Sequence, residues 1–223
     1  MSVWQLDDEL WFPDPHFGEE NGLIAIGGDL SVKRLLLAYS YGFFPWYAFQ
    51  MGSEPHWYCP QDRYVIFPDE IHISHSMKQL LKQRKYVVTV NEDFEGVING
   101  CSTAQGRNED CGAWLGPDII EAYVKLHLLG YASSVEVWQP TENAGSRKLV
   151  GGLYGVTLRN AFFGESMFSL VPNASKLALI YLAKALENIR GRFIDCQFET
   201  PLFKSMGGRH IPYDEYMRLL NQS

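Results

Sequence analysis

No stretch of the 223 residues approaches the roughly 20 consecutive apolar residues that cross a membrane. The opening MSVWQLDDEL also has neither the basic start nor the apolar run of a secretory signal, so a soluble, unexported, cytoplasmic protein is expected. Cysteine is scarce and unpatterned. Cys59, Cys101, Cys111 and Cys196 show no CxxC spacing, and of the scattered histidines only His72 and His75 could share a helix face. No metal site is expected, and the four thiols read as buried and reduced. Also missing are a Walker loop and a GxGxxG between a strand and a helix, so no cofactor is expected. Basic residues are outnumbered, 19 Lys and Arg against 26 Asp and Glu. The net charge of −7 argues against indiscriminate nucleic-acid binding, because long-range repulsion from phosphate opposes association.

What is present is ample material for a core, 46% hydrophobic and 14% aromatic. The character of the chain changes near residue 70. Residues 1–70 are aromatic and rich in Gly and Pro, with one well-marked helix that Ser31 caps and Gly42 ends; they read as a small lobe. Residues 71–223 alternate helix and strand. The pattern predicts helices near 76–85, 94–101, 117–129, 175–189 (capped by Asn173) and 212–220, and strands at 86–90, 133–138, 149–158, 161–168 and 193–198. Three antiparallel strands, a helix and a further strand resemble the core of the GNAT acyltransferase fold, so the expected class is α+β, a small N-terminal lobe followed by a GNAT-like domain.

One segment runs against the acidic background. Between Ile71 and Val90 lie Lys78, Lys82, Arg84 and Lys85 without a single acid. A solvated helix face is the plainer reading, and a local grip on phosphate is the functional one.

Four blocks, NGLIAIGGDL (21–30), YGFFPWY (41–47), GESMFS (164–169) and IDCQ (194–197), joined by SVEVW, GGLYGV and NASK, resemble the leucyl/phenylalanyl-tRNA-protein transferase family over nearly the whole chain. The resemblance implies transfer of Leu or Phe, with Met a further candidate, from aminoacyl-tRNA to the N-terminal Arg or Lys of acceptor proteins, marking them for degradation. A monomer is expected. Aminolysis of an activated ester needs no ATP. An α-amine with a pKa of about 7.7 to 8.0 is already roughly one-tenth neutral at pH 7, so positioning can supply most of the acceleration.

The resemblance also assigns residues. Asp195 and Gln197 correspond to the family's proposed catalytic pair; two apart on a strand, they are expected to leave one face of the sheet. Glu165 sits in the apolar stretch AFFGESMF, where an ionised carboxylate must find solvent or a cation. Glu165 and Asp195 are expected to form an anionic cup for the acceptor's N-terminal residue; an internal salt bridge is the competing reading. Leu153, Phe162, Leu179, Leu182 and Leu186 would line the aminoacyl pocket, with Leu182 and Leu186 standing where some relatives carry aromatics. Ordinary core explains the same leucine spacing. Tyr39, Trp46, Trp114 and Tyr123 would surround the terminal adenosine and aminoacyl group at the tRNA 3' end, and Lys78, Lys82, Arg84 and Lys85 would hold acceptor-stem phosphates.

Two other classes fit part of the pattern. A conventional acetyl-CoA-dependent acyltransferase shares the order of elements, but the turn LVPNA (170–174) has no glycine with which to cradle a pyrophosphate. A non-enzymatic adaptor could recognise basic N-termini through the same carboxylates.

Overall fold

The computed structural model describes residues 3–19, 21–46, 54–103, 115–143 and 145–222. Near the N-terminus a four-stranded sheet is formed by β1 (Trp4–Leu6), β2 (Leu23–Gly27), β3 (Phe44–Pro45) and β4 (His56–Tyr58), in the order β1-β2-β4-β3. Helix α1 (Val32–Ser40) starts where expected, with Ser31 Oγ accepting from the backbone N–H of Arg34. The double glycine before it is a conformational requirement. Gly27 and Gly28 have φ of 91° and 72°, and a Cβ on Gly27 would lie 2.8 Å from the carbonyl oxygen of Leu6. Trp57, Leu35, Ala38, Phe43 and Phe44 are buried together around this sheet.

The larger sheet has seven strands in the order β11-β5-β10-β9-β8-β7-β6. They are β5 (Asp62–Ile66), β6 (Val87–Val90), β7 (Ala132–Pro140), β8 (Arg147–Leu158), β9 (Ala161–Ser169), β10 (Phe193–Gln197) and β11 (Arg209–Pro212). Neighbours are antiparallel except β9 and β10. The expected order of three antiparallel strands, a helix and a further strand is therefore present, with that further strand, β10, running parallel to β9, and the architecture is α+β. The helices are α2 (His75–Gln83), α3 (Phe94–Thr103), α4 (Pro117–Leu128), α5 (Ala174–Asn188), α6 (Pro201–Ser205) and α7 (Tyr213–Asn221). One apolar cluster joins α5 and α2 to the sheet through Leu153, Phe162, Leu179 and Met77, while the other joins α1, α3, α4 and α7 to it through Tyr39, Val97, Tyr123 and Tyr216.

Asn173 precedes α5 as expected but sits in the left-handed region (φ 70°) and makes no side-chain cap. Ser169 Oγ instead accepts from the Ser175 N–H at 3.0 Å, tying the helix start to the end of β9. Cys59, Cys101 and Cys196 are buried, and Cys111 lies outside the described residues. Among the described residues no helix is long and apolar enough to cross a membrane.

Candidate active site

The site is created by a parting of two strands. β10 pairs with β9 only from Phe193↔Ala161 to Asp195↔Phe163, yet β9 continues to Ser169. The gap beyond this last pair holds a cavity of about 600 Å³. Its walls are Gly164 to Met167 of β9 and Ile194 to Phe198 across the parting, with Leu153, Phe162, Leu179 and Leu182 closing the apolar end. Asn21 and Trp46, both exposed, also line it, so it reaches solvent.

Two β-bulges aim the polar groups. In β9, Tyr154 faces Ser166 and Gly155 faces Gly164, leaving Glu165 as the extra residue. In β10, Asp195 faces Val65 and Gln197 faces Tyr64, leaving Cys196 extra. Gln197 moreover has φ of 64°. Simple alternation, on which the expectation of one shared face for Asp195 and Gln197 rested, is interrupted between them. Bulges of this kind redirect side chains at the cost of regular pairing.

Asp195 is wholly buried and its oxygens are fully engaged. Arg63 Nε approaches both at 3.0 Å, Arg63 Nη2 donates to Oδ2 at 2.7 Å, and the Tyr216 hydroxyl donates to Oδ2 at 2.9 Å. The Arg63 guanidinium, itself buried, lies between the rings of Phe44 and Tyr216, 4.8 and 4.9 Å from their centroids. The Asp195 half of the expected cup of two carboxylates thus meets an internal cation. The charge of Asp195 is met internally, whereas Glu165 has no cation bonded to it among the described residues. Asp195 does reach Gln197, whose backbone N–H donates to Oδ1 at 2.9 Å.

Glu165 is 8% exposed and accepts three hydrogen bonds. Tyr39 donates to Oε1 at 2.7 Å, Gln197 Nε2 to Oε1 at 3.2 Å, and Tyr123 to Oε2 at 2.8 Å. Burial pushes its pKa up to about 7, against the pull of the two tyrosine hydroxyls; Asp195 adds to the rise and Arg63 opposes it. Burial likewise holds both tyrosines well above the ordinary phenol range.

A family model described as leucyl/phenylalanyl-tRNA protein transferase matches residues 65–221, and a model of that enzyme's N-terminal domain matches residues 28–61. The chain is 46% identical over 223 residues to the leucyl/phenylalanyl-tRNA–protein transferase of Syntrophus aciditrophicus, covering 100% of this chain and 90% of that one. It is 44% identical over 220 residues to the same enzyme of Solidesulfovibrio magneticus, covering 99% and 85%. The chain belongs to the leucyl/phenylalanyl-tRNA-protein transferase family. Among solved structures, that of L-PGS from Bacillus licheniformis is similar with a TM-score of 0.42 and 12% identity, covering 80% of this chain and 54% of that one.

As a leucyl/phenylalanyl-tRNA-protein transferase, this enzyme moves Leu or Phe from tRNA to protein, and its substrates are aminoacyl-tRNA and an acceptor protein. The other expected site residues divide between the cavity, the core and the surface. Leu153, Phe162, Leu179 and Leu182 line the cavity, whereas Leu186 is buried in the same cluster without lining it. Tyr39 and Tyr123, expected around the terminal adenosine and aminoacyl group, are 0% exposed and offer no ring face to a base; both hydroxyls donate to Glu165. Trp46 is 41% exposed, with its ring centroid 5.5 Å from that of Tyr58 and 5.3 Å from that of Phe198. Trp114 lies outside the described residues. Lys78 and Lys82 stand exposed on α2, and Arg84 and Lys85 stand exposed just beyond it.

Arg63, Tyr216 and Tyr58 were not singled out from sequence. Arg63 had a signal, a lone cation ahead of the apolar run YVIF, which makes it the natural partner for an acid buried on a neighbouring strand. Tyr216 had only the amphipathic period of the last helix.

Proposed function

We propose that the parted strands hold the aminoacyl end of the tRNA, with the Leu or Phe side chain in the apolar part of the cavity and the ester carbonyl beside Gln197 and Glu165. The observation that carries this reading is the single cavity wall on which an apolar slot of Leu153, Phe162, Leu179 and Leu182 meets a buried, tyrosine-held carboxylate. The slot offers depth without hydrogen-bond partners, which suits Leu or Phe.

In this reading the acceptor is a protein beginning with Arg or Lys. Glu165 receives its cationic N-terminal residue, an assignment supported by the internal neutralisation of Asp195. Asp195 acts on the reaction through Gln197, fixing the backbone that aims the amide. Trp46 supplies a face for the terminal adenosine, with Trp114 assigned the same task by family resemblance. Lys78, Lys82, Arg84 and Lys85 take acceptor-stem phosphates, which reconciles a local basic face with the acidic whole. We further propose a cytoplasmic monomer with a small lobe over residues 1–70 and a catalytic domain over 71–223.

The test is competition among peptides that differ only in their first residue, with Leu-tRNA or Phe-tRNA as donor. Arg- and Lys-initiated peptides are expected to gain the mass of one Leu or Phe, and Ala- or Glu-initiated ones are not. Equal modification of all peptides would defeat the assignment of Glu165 to a cationic residue.

A further inference from the structure

Glu165, Tyr39 and Tyr123 stand in a closed triangle of short oxygen contacts. Tyr39 lies 2.7 Å from Oε1, Tyr123 lies 2.8 Å from Oε2, and the two hydroxyl oxygens are 2.5 Å apart. Each contact needs one proton between its oxygens. Two neutral tyrosines and an ionised carboxylate bring only two. If both hydroxyls donate to Glu165, the Tyr39–Tyr123 contact is left unbridged at the shortest distance of the three. A third proton on Glu165 completes the circuit: Glu165 donates to Tyr123, Tyr123 to Tyr39, and Tyr39 back to Glu165. The arrangement is thus one proton short when ionised and closed when neutral. All three groups are buried, so water does not readily supply the missing donor.

We infer that Glu165, Tyr39 and Tyr123 form a proton-holding ring that acts as the general base of the transfer, taking a proton from the attacking amine and returning it to the departing ribose oxygen. The inference rests on the reading that Glu165 meets the acceptor's N-terminus. The neutral amine attacks the ester carbonyl, and the new C–N bond leaves the nitrogen positively charged. That nitrogen gives one proton to the ionised Glu165, closing the ring. The C–O bond to the ribose then breaks with its electron pair on oxygen, and Glu165 delivers the same proton there. The ring ends as it began, and no other reactant is consumed.

The surroundings favour proton exchange near neutrality. Tyr39 comes from α1, Tyr123 from α4 and Tyr154 from β8, the last with its ring 5.6 Å from that of Tyr123. From β10 come Gln197, which donates to Oε1, and Asp195, whose charge is paired with Arg63 of β5 and bonded by Tyr216 of α7. Burial sets the Glu165 pKa at about 7, while the tyrosines stay protonated and serve as relays. Gln197 is a poor base by its own chemistry, which leaves Glu165 to receive the proton.

The experiment pairs infrared difference titration of the intact enzyme with turnover measured across neutral pH at saturating acceptor peptide. A carboxylic-acid carbonyl band that grows on acidification through about 7 is expected in the wild type and absent in Glu165→Gln. Turnover should fall on the acid side, and the part of that fall absent in Glu165→Gln belongs to the ring, since protonation of the acceptor amine lowers both proteins alike. Glu165→Gln should lower kcat by about 100-fold or more, the scale of general-base catalysis. Tyr39→Phe opens the circuit that protonation closes and should move both midpoints downward together; an upward shift would show Tyr39 acting merely as a donor to the ionised carboxylate and would overturn the ring. No band in the wild type, or wild-type kcat in Glu165→Gln with only KM raised, overturns the ring as base while leaving Glu165 as a binding group. Unchanged kcat and unchanged KM in a folded Glu165→Gln would instead remove the underlying reading. Should Glu165→Gln fail to fold, the wild-type band and the Tyr39→Phe shift decide the matter.

Discussion

Arg63 and Asp195 make a buried, multiply bonded ion pair between adjacent strands β5 and β10, with Nη2 to Oδ2 at 2.7 Å and both side chains at 0% exposure. Asp195 lines the cavity wall and accepts from the backbone N–H of Gln197, so the pair sets the backbone that carries Gln197. Removing one partner strands the other charge in the interior. Arg63→Met should therefore cost roughly 3–5 kcal/mol of unfolding free energy, read by denaturant titration. Turnover should fall with it, since Gln197 loses its anchor. A stable variant with normal kcat would show that the pair neither holds the fold nor positions the amide.

Glu165 gives a pH-dependent stability of opposite sign to an ordinary paired acid. Its pKa in the folded protein is raised from 4.5 to about 7, so the folded state binds the proton more tightly than the unfolded one. Stability from this group is full below the lower value, falls as pH rises between the two, and is lost above about 7. A shift of this size corresponds to roughly 3 kcal/mol. Glu165→Gln, close in shape and never ionised, should be more stable than the wild type at mildly alkaline pH and nearly equal to it in mild acid. Calorimetric melting at both conditions checks this; a parallel offset at all pH values would refute it.

The cavity's apolar end should set the choice of amino acid. Leu182→Phe fills space that a Phe side chain needs, and is expected to favour Leu-tRNA over Phe-tRNA by about tenfold or more in kcat/KM. Leu179→Ala enlarges the slot and should shift the ratio the other way, at a stability cost of roughly 2–5 kcal/mol. Side-by-side transfer from the two charged tRNAs is the measurement. An unchanged ratio in both variants would place the side chain elsewhere.

The basic face around α2 should show itself through salt. Replacing Lys82 and Arg84 with Ala is expected to weaken tRNA binding and reduce the slope of log affinity against log salt by roughly one unit per lost phosphate contact. Binding of acceptor peptide should not change. A slope unaltered within error would return these residues to a merely solvated face.

Much of the scaffold was readable in the sequence, because the helices announce themselves by local chemistry. Ser31, Pro117 and the leucine spacing of α5 each have a physical reason to act at their own position. β5 was harder to place. It is a five-residue strand between aromatic turns, and its importance comes from partners more than a hundred residues away, Asp195 above all. The two bulges were not readable at all. One extra residue at Glu165 or Cys196 leaves no trace in composition, yet it decides where Glu165 and Gln197 point. Tyr39 and Tyr123 are expected around the terminal adenosine and aminoacyl group, and the structure buries both as hydrogen-bond donors to Glu165. An aromatic hydroxyl serves equally as a stacking surface or a hydrogen-bond donor, and only burial separates the two.

The account depends on the aminoacyl group lying in the opening between β9 and β10. Its most direct test is a crystal structure with a stable phenylalanyl-adenosine analogue in which an amide replaces the ester. The phenyl ring is expected among Leu153, Phe162, Leu179 and Leu182, with the carbonyl carbon beside Gln197 and the Glu165 carboxylate. An analogue bound instead in the separate groove lined by Trp11, His16 and Tyr213 would contradict it.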